Sequence, residues 1–365
     1  MKRTTISFKT FLCILCLSDL TLNSGAQFTQ KRIFERTEPV NRETILEISN
    51  KYGNIEITEW NRDSVYIRAE IEANATNQSK TGKMIEGIEI EISASRFLVR
   101  AQTIFDQTLN MLLEDFKGMT NKIISYDSKV QINYFVKAPE YLSLRLENKY
   151  GDIFAENIKG NLNVSLSNGS FKAHSVARMS DFRMSFCNAV INKAEDCNID
   201  ASFSEFIIDE SENLRIKSIS SRYDLKYVST LNADSRRDKF YIGTIGSLSG
   251  NAYFTQFRID KLLTETNINS KYGDITVESI DNSFKEINII AGYNDIRLTF
   301  YPTASYNLNI RHVNSFVSLP SESPGIEKNA VNGERKEYIT SGTIGRNPGN
   351  RKVKIDASRG NIYIK

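Results

Sequence analysis

Apolar and polar residues alternate along most of the chain, and short turns break the alternation at near-regular intervals. Alternation of this kind is the period of a half-buried strand. Val65, Ile67, Ala69 and Ile71 show it, followed by Ile88, Ile90 and Ile92, by Phe97, Val99 and Ala101, and by Val130, Ile132 and Tyr134 ahead of Pro139. Phe28 to Asn41 reads as an edge strand or ordered arm, and the polar stretch Asn74 to Lys83 reads as a loop. Between Asp106 and Gly118 the period changes. Leu109, Leu112, Leu113 and Phe116 fall at helical spacing and predict one short helix.

One phrase keeps returning at the turns. It reads Asn50-Lys51-Tyr52-Gly53-Asn54-Ile55, then Asn148-Lys149-Tyr150-Gly151-Asp152-Ile153, then Ser270-Lys271-Tyr272-Gly273-Asp274-Ile275. Gly292-Tyr293-Asn294-Asp295-Ile296 is a worn copy, and Ser358-Arg359-Gly360-Asn361-Ile362 comes last. Taking the first apolar residue after each turn as a marker selects Ile153, Phe171, Val190, Phe206, Leu225, Phe240, Phe257, Ile275, Ile296 and Phe316, spaced by 18, 19, 16, 19, 15, 17, 18, 21 and 20 residues. Self-similarity at about 20 residues per unit predicts a stacked solenoid. Two short strands and two turns use up most of about 18 residues and leave no room for a helix, so each unit is one coil of a β-helix. The expected fold is therefore all-β, a single-stranded β-helix with about 18 residues per coil, its alternating Ile, Leu, Val and Phe stacked inward. The Gly of the phrase is expected at a positive φ, which favours Gly and then Asn or Asp. Gly169, Asn188, Asn294 and Asn314 suit that demand, whereas Ser204, Tyr223, Asp238 and Thr255 suit it less well.

Residues 1–26 read as a secretory signal peptide: Lys2, Arg3 and Lys9 precede an apolar run from Phe11 to Leu17, and Ser24-Gly25-Ala26 offers small residues for cleavage. Residues 27–365 then form one β-solenoid domain. Residues 27–140 are irregular N-terminal coils with the strand and helix excursion, 141–319 regular coils, 320–350 a Pro/Gly-rich loop with a hairpin near Glu337 to Thr340, and 351–365 a closing coil. The excursion and the Pro/Gly-rich loop are candidate caps for the exposed ends of the stack or lateral flaps. The apolar run is shorter than the roughly 20 residues a membrane-spanning helix needs, and no later stretch reaches that length. No transmembrane helix is expected.

Composition adds little chemistry. The signal segment holds three basic residues and one acid, so its removal lowers the formal charge from +3 to +1. That balance argues against a nucleic-acid partner, which requires a basic surface. Of the cysteines, Cys187 and Cys197 lie outside the signal segment. They fit a short disulfide in an oxidising compartment or two buried thiols, and they are too few for a zinc site. His174 and His312 have no neighbours at the spacing of a catalytic triad or a metal site. Asp152, Asp224, Asp274 and Asp295 recur at the turns and read as turn-formers, because the glycine-rich calcium nonapeptide is absent. Tyr52, Tyr150, Tyr272 and Tyr293 recur beside the same turn, either as packing over the corner or as an aromatic stripe able to stack on sugars. Lys51, Lys149 and Lys271 beside them read as snorkelling stems.

The signal peptide, the Asn-Lys-Tyr-Gly-Asn/Asp-Ile turns, Tyr134-Phe135-Val136-Lys137-Ala138-Pro139 leading into Leu142, Leu144 and Leu146, and the closing Gly360-Asn361-Ile362-Tyr363-Ile364 together resemble the putative adhesin family of bacterial envelope proteins, a domain of unknown function common in the Bacteroidetes. The resemblance spans residues 42–365 and is weakest from Phe186 to Phe257, where the Gly turn is missing. It implies a right-handed single-stranded β-helix and brings no catalytic motif, cofactor or metal. The expected function is that of a non-catalytic exported β-solenoid, an adhesin or envelope-binding module that is not an enzyme. Its expected partners are glycans or cell-envelope components, in the periplasm, on the outer-membrane surface or outside the cell. The alternatives are a carbohydrate-active β-helix, a polysaccharide lyase or hydrolase, and a periplasmic structural or stress-sensing module.

Overall fold

The structure, a computed structural model, describes residues 28–107, 109, 128–320 and 325–365. The signal segment lies outside the described residues. So does most of the helix expected between Asp106 and Gly118, of which Gln107 and Leu109 are described and are helical.

The chain winds into a parallel β-solenoid with about 18 residues per coil. Through the middle, each coil is a single long strand: Asn188–Ser202, Glu205–Ile219, Arg222–Arg236, Lys239–Tyr253 and Gln256–Lys271 stack in parallel register. Two separate strands per coil were expected from the sequence, and the burial pattern explains the difference. In the coil Glu205–Ile219 the inward residues are Phe206, Ile208, Ser211, Leu214, Ile216 and Ser218. Twice the inward spacing grows from two residues to three, at Ile208–Ser211 and Ser211–Leu214. Two consecutive outward residues bend the chain there without breaking the hydrogen-bonded ladder. Only the third corner interrupts it.

Inward columns run the length of the stack. Ile153, Phe171, Ala189, Phe206, Tyr223, Phe240, Phe257, Ile275 and Ile296 lie in one register. This register corrects three of the sequence markers. Val190 is one residue beyond the column at Ala189, Leu225 belongs to the next inward column, paired with Ile208 and Ile242, and Phe316 is one residue before the column, which passes from Ile296 through Ile362 to Val317. The rings of Tyr223, Phe240 and Phe257 stack with centroids 4.7 and 4.8 Å apart. The contact of Phe171 with Phe182 at 5.1 Å shows that this column meets the column of Phe182, Ile199, Ile216, Ala233, Gly250 and Ile268 across the bore. Ala233 and Gly250 fall in the coils whose facing residues are Tyr223 and Phe240, so in these two coils a large ring packs against a small residue.

The two ends are closed by antiparallel strands. At the first end the coil Ile45–Lys51 and Ile55–Glu59 is covered by Leu98–Phe105 and Ser128–Ala138. Beyond these, Ile88–Ala94 pairs with the first strand, and Ser64–Ala75 followed by Phe28–Pro39 extends the second, all antiparallel. The stretch expected as a polar loop, Asn74 to Lys83, is instead the end of a strand and most of a helix, Gln78–Glu86. The Asn77 side chain accepts from the Lys80 N–H at 2.8 Å, and Thr81 and Ile85 are buried. A cap and two buried residues are enough to fold this polar segment once the end sheet offers a surface.

At the other end, the strands Lys352–Ser358 and Asn361–Ile364 insert between the coil Glu286–Phe300 and the strands Tyr306–Val313 and Phe316–Ser318. The last coil in sequence is thus not the last layer. Within 320–350, Ile326–Asn332 and Glu337–Ile344 form a hairpin that adds antiparallel to Tyr306–Val313. Among the described residues no helix is long and apolar enough to cross a membrane. Cys187 and Cys197 are free buried thiols. Burial pushes the Cys197 thiol up to about 12.

Candidate functional site

Each coil passes its one sharp corner through a residue in the left-handed region, with φ between 48° and 64°. In stacking order these residues are Tyr52, Tyr150, Asn168, Phe186, Phe203, Ser220, Arg237, Phe254, Tyr272, Tyr293, Arg359 and Asn314. None is glycine. The expectation that the Gly of the phrase carries the positive φ is therefore overturned, since the residue before it does. Such a conformation costs a side-chain-bearing residue about 1–2 kcal/mol. It also points that side chain away from the bore.

The position after the corner has a different demand. A Cβ on Gly151 would stand 1.9 Å from the Gly53 carbonyl oxygen, and one on Gly169 would stand 2.0 Å from that of Gly151. At Ser204, Ser221, Asp238 and Thr255, which occupy this position in four successive coils, a short polar side chain accepts from the backbone of the preceding coil. The Cys187 N–H donates to Ser204 Oγ at 3.1 Å, the Ser204 N–H to Ser221 Oγ at 3.3 Å, and the Ser221 N–H to Asp238 Oδ1 at 2.7 Å. Gly and Ser/Asp/Thr are two solutions to one close approach between coils. The carboxylates and amides one residue later do similar work. The Asp152 N–H donates to Asn54 Oδ1 at 3.0 Å, the Ser170 N–H to Asp152 Oδ1 at 2.7 Å, and the Asn361 N–H to Asp295 Oδ1 at 3.1 Å. Asp224 is elsewhere, paired with Arg222 at 2.9 Å.

The corner side chains form a row, one per coil, about 4.8 Å apart. Tyr52, Tyr150, Tyr272 and Tyr293 all lie on it, yet they do not make one stripe. Tyr52 is buried beneath the end strands, edge-on to Phe105, and Tyr150 stacks on it half-buried at 5.4 Å. Tyr272 and Tyr293 are 46% exposed and stack at 5.0 Å, seven and eight coils beyond Tyr150. Between the two pairs stand aromatics that the recurring phrase did not reveal. Phe186 and Phe203 stack at 5.0 Å, and Phe254 stacks on Tyr272 at 5.0 Å. Their signal lies in Ser185-Phe186-Cys187, Ser202-Phe203-Ser204 and Tyr253-Phe254-Thr255, at multiples of 17 residues, and it is hidden because no Gly follows. These three phenylalanines are more than half exposed, at 60%, 54% and 53%. Lys51 and Lys149 lie over Tyr52 and Tyr150, at 4.7 and 5.2 Å from the ring centroids, and Arg359 lies over Tyr293 at 5.2 Å.

Beneath the exposed row is a buried polar node. Asp238 Oδ2 accepts from Ser218 Oγ and Ser235 Oγ, both at 2.6 Å, and from the Arg236 N–H at 3.2 Å. These bonds lock the corner coils together, and burial of the carboxylate leaves no path to a ligand. His174 is exposed, 3.3 Å from Asn192, on an open groove flanked by Glu56, Phe154 and Lys172. His312 is buried beneath the terminal hairpin, its Nε2 3.2 Å from Thr340 Oγ1. Among the described residues no group of three or more His, Cys, Asp or Glu side chains could hold a metal ion.

No family model and no curated protein matches the chain. Among solved structures it is similar to one described as a putative adhesin from Parabacteroides distasonis, at 11% identity over 73% of this chain and 97% of that one, with a TM-score of 0.34. A putative lipid binding protein from the same organism is similar at 11% identity over 75% and 97% of the two chains, with a TM-score of 0.33. A putative cell adhesion protein from Clostridium sporogenes is similar at 10% identity over 92% and 99%, with a TM-score of 0.20.

Proposed function

We propose that this protein is an exported, non-catalytic scaffold of the cell envelope that binds glycan or other envelope material along its aromatic corner. The observation that carries this reading is the row of Phe186, Phe203, Phe254, Tyr272 and Tyr293, each 46% or more exposed on a rigid corner where a side chain is costly to place. Aromatic rings hold a large apolar surface at little entropy cost, and a linear set of them suits a long, repetitive partner better than a compact one. Export rests on the basic start, the short apolar run and the small residues before Gln27.

Cleavage chemistry has no support at this corner. The recurring Asp152 and Asp295 are committed to backbone N–H groups of the next coil, where a general acid or base would need a free carboxyl facing substrate.

The test is binding of the mature chain to a panel of glycans and isolated envelope material, beside the double variant Phe254→Ala, Tyr272→Ala. Binding that falls at least tenfold in the variant, with an unchanged circular-dichroism spectrum, supports the proposal. Wild-type silence across the panel, or release of reducing or unsaturated sugars, would overturn it.

A further inference from the structure

The aromatic row is interrupted, and the interruption at Ser220 and Arg237 has the shape and charge of a site. Each stacked ring on the corner takes up one coil step, as the 5.0 Å spacings of Phe186–Phe203 and Phe254–Tyr272 show. Phe203 is the last ring of its stack, Phe254 the first of the next, and Ser220 and Arg237 occupy the steps between them. Ser220 is too small to cover the face of Phe203. The corner step of Ser220 therefore carries no ring, leaving a slot between the step of Phe203 and the step of Arg237.

Basic side chains cluster at the slot, beside Glu205 and Asp234 on the flanking strands. Arg236 and Arg237 lie exposed at this corner, and Lys239 follows on the next strand. Among the described residues none of the three side chains makes an ion pair, whereas nearby Arg222 is taken up by Glu205 at 3.3 Å and Asp224 at 2.9 Å. The corner carboxylate next to them, Asp238, is buried and turned inward onto Ser218 and Ser235.

We infer that this slot binds an anion-bearing saccharide: a pyranose ring lays its apolar face on Phe203 and directs a carboxylate, sulfate or phosphate at Arg237. A sugar ring supplies the thickness of the missing aromatic, and its C–H face suits the π surface. The guanidinium fork supplies paired donors for an oxyanion, with Arg236 and Lys239 adding charge. The inference deepens the proposed glycan-binding role and rests on it.

The experiment uses calorimetry on the full mature chain with two probes, a hexuronate oligomer and the same oligomer methyl-esterified, which keeps the sugar rings and removes the charge. The wild type is expected to bind the acid form at least tenfold more tightly, and that preference should shrink as salt is added. Arg237→Gln should abolish the preference. Ser220→Phe should abolish binding of both probes while keeping the fold, because Phe186 and Phe203 already occupy the same backbone conformation at φ 56° and 50°. Equal affinity for acid and ester, or full binding by Ser220→Phe, would overturn the slot. If the wild type ignores both oligomers but binds other glycans in a manner lost with Phe254→Ala, the slot fails and the binding row stands. If it binds no glycan at all, both fail.

Discussion

The side-chain amide of Asn148 donates to the carbonyl oxygen of Gly53 at 2.8 Å, and that same oxygen lies 1.9 Å from where a Cβ on Gly151 would stand. The recurring phrase is thus an interlock between neighbouring coils. Asn holds the carbonyl of the coil below, Tyr takes the corner, and Gly lets the two backbones close up.

Gly151→Ala should accordingly destabilise the protein by about 1–3 kcal/mol or more, because the colliding atoms are backbone and cannot step aside. The corner itself should behave in the opposite way. Ser220→Gly relieves a left-handed conformation while loosening the unfolded chain, so stability should stay within about 1 kcal/mol of wild type. Urea unfolding of the two variants checks both. A Gly151→Ala loss no larger than the change at Ser220→Gly would argue against the close approach as the source of the demand for glycine.

Asp238→Ala removes the acceptor for Ser218, Ser235 and the Ser221 and Arg236 backbone N–H groups. Each buried donor left unpaired costs about 1–3 kcal/mol, so the loss should exceed that of a typical surface variant several-fold. Amide hydrogen exchange should locate the opening in the coils from Glu205 to Tyr253. A change confined to the exposed corner would contradict the role assigned to this node.

Phe240→Ala should cost about 3–5 kcal/mol. Phe240 is fully buried, stacked at 4.7 Å on Tyr223 and at 4.8 Å on Phe257, and its coil carries Gly250 in the facing column. No larger residue stands there to fill the cavity. The thermal unfolding midpoint of the variant is the measurement, and a shift no larger than that of an exposed alanine variant would argue against the packing described.

His312 links the terminal hairpin to pH. Burial, and then the charge of Lys328, hold its pKa below the ordinary value of 6.5, while Tyr338 stacks on the ring at 5.6 Å and Arg311 is paired with Glu337 alongside at 2.6 Å. The unfolded chain therefore binds the proton first as pH falls. The stabilisation is complete above the unfolded value and is lost as pH drops below 6.5 toward the folded value. Exchange of the hairpin amides should accelerate, relative to intrinsic rates, between about pH 7.5 and about pH 5, and His312→Gln should flatten that dependence. A wild-type profile that matches the variant would rule out the linkage.

The alternation of apolar residues and the recurrence of Lys-Tyr-Gly-Asp-Ile were enough to determine the β-solenoid and its coil length. Inward stacking at a fixed period is a local property, written into every coil. The sequence also placed Tyr52, Tyr150, Tyr272 and Tyr293 on one kind of corner. Only the tertiary structure decided what each position does there, because that depends on the coil above and the coil below. Backbone approach assigned Gly to the contact and the aromatic residue to the left-handed turn. End strands buried Tyr52, and the inserted last coil set Arg359 over Tyr293. Phe186, Phe203 and Phe254 were hidden because Cys187, Ser204 and Thr255 stand where the phrase has Gly, and Ser204 and Thr255 meet the same approach by accepting a backbone N–H. The slot at Ser220 exists only as a missing member of a stack, and a stack is visible only when coils lie in register.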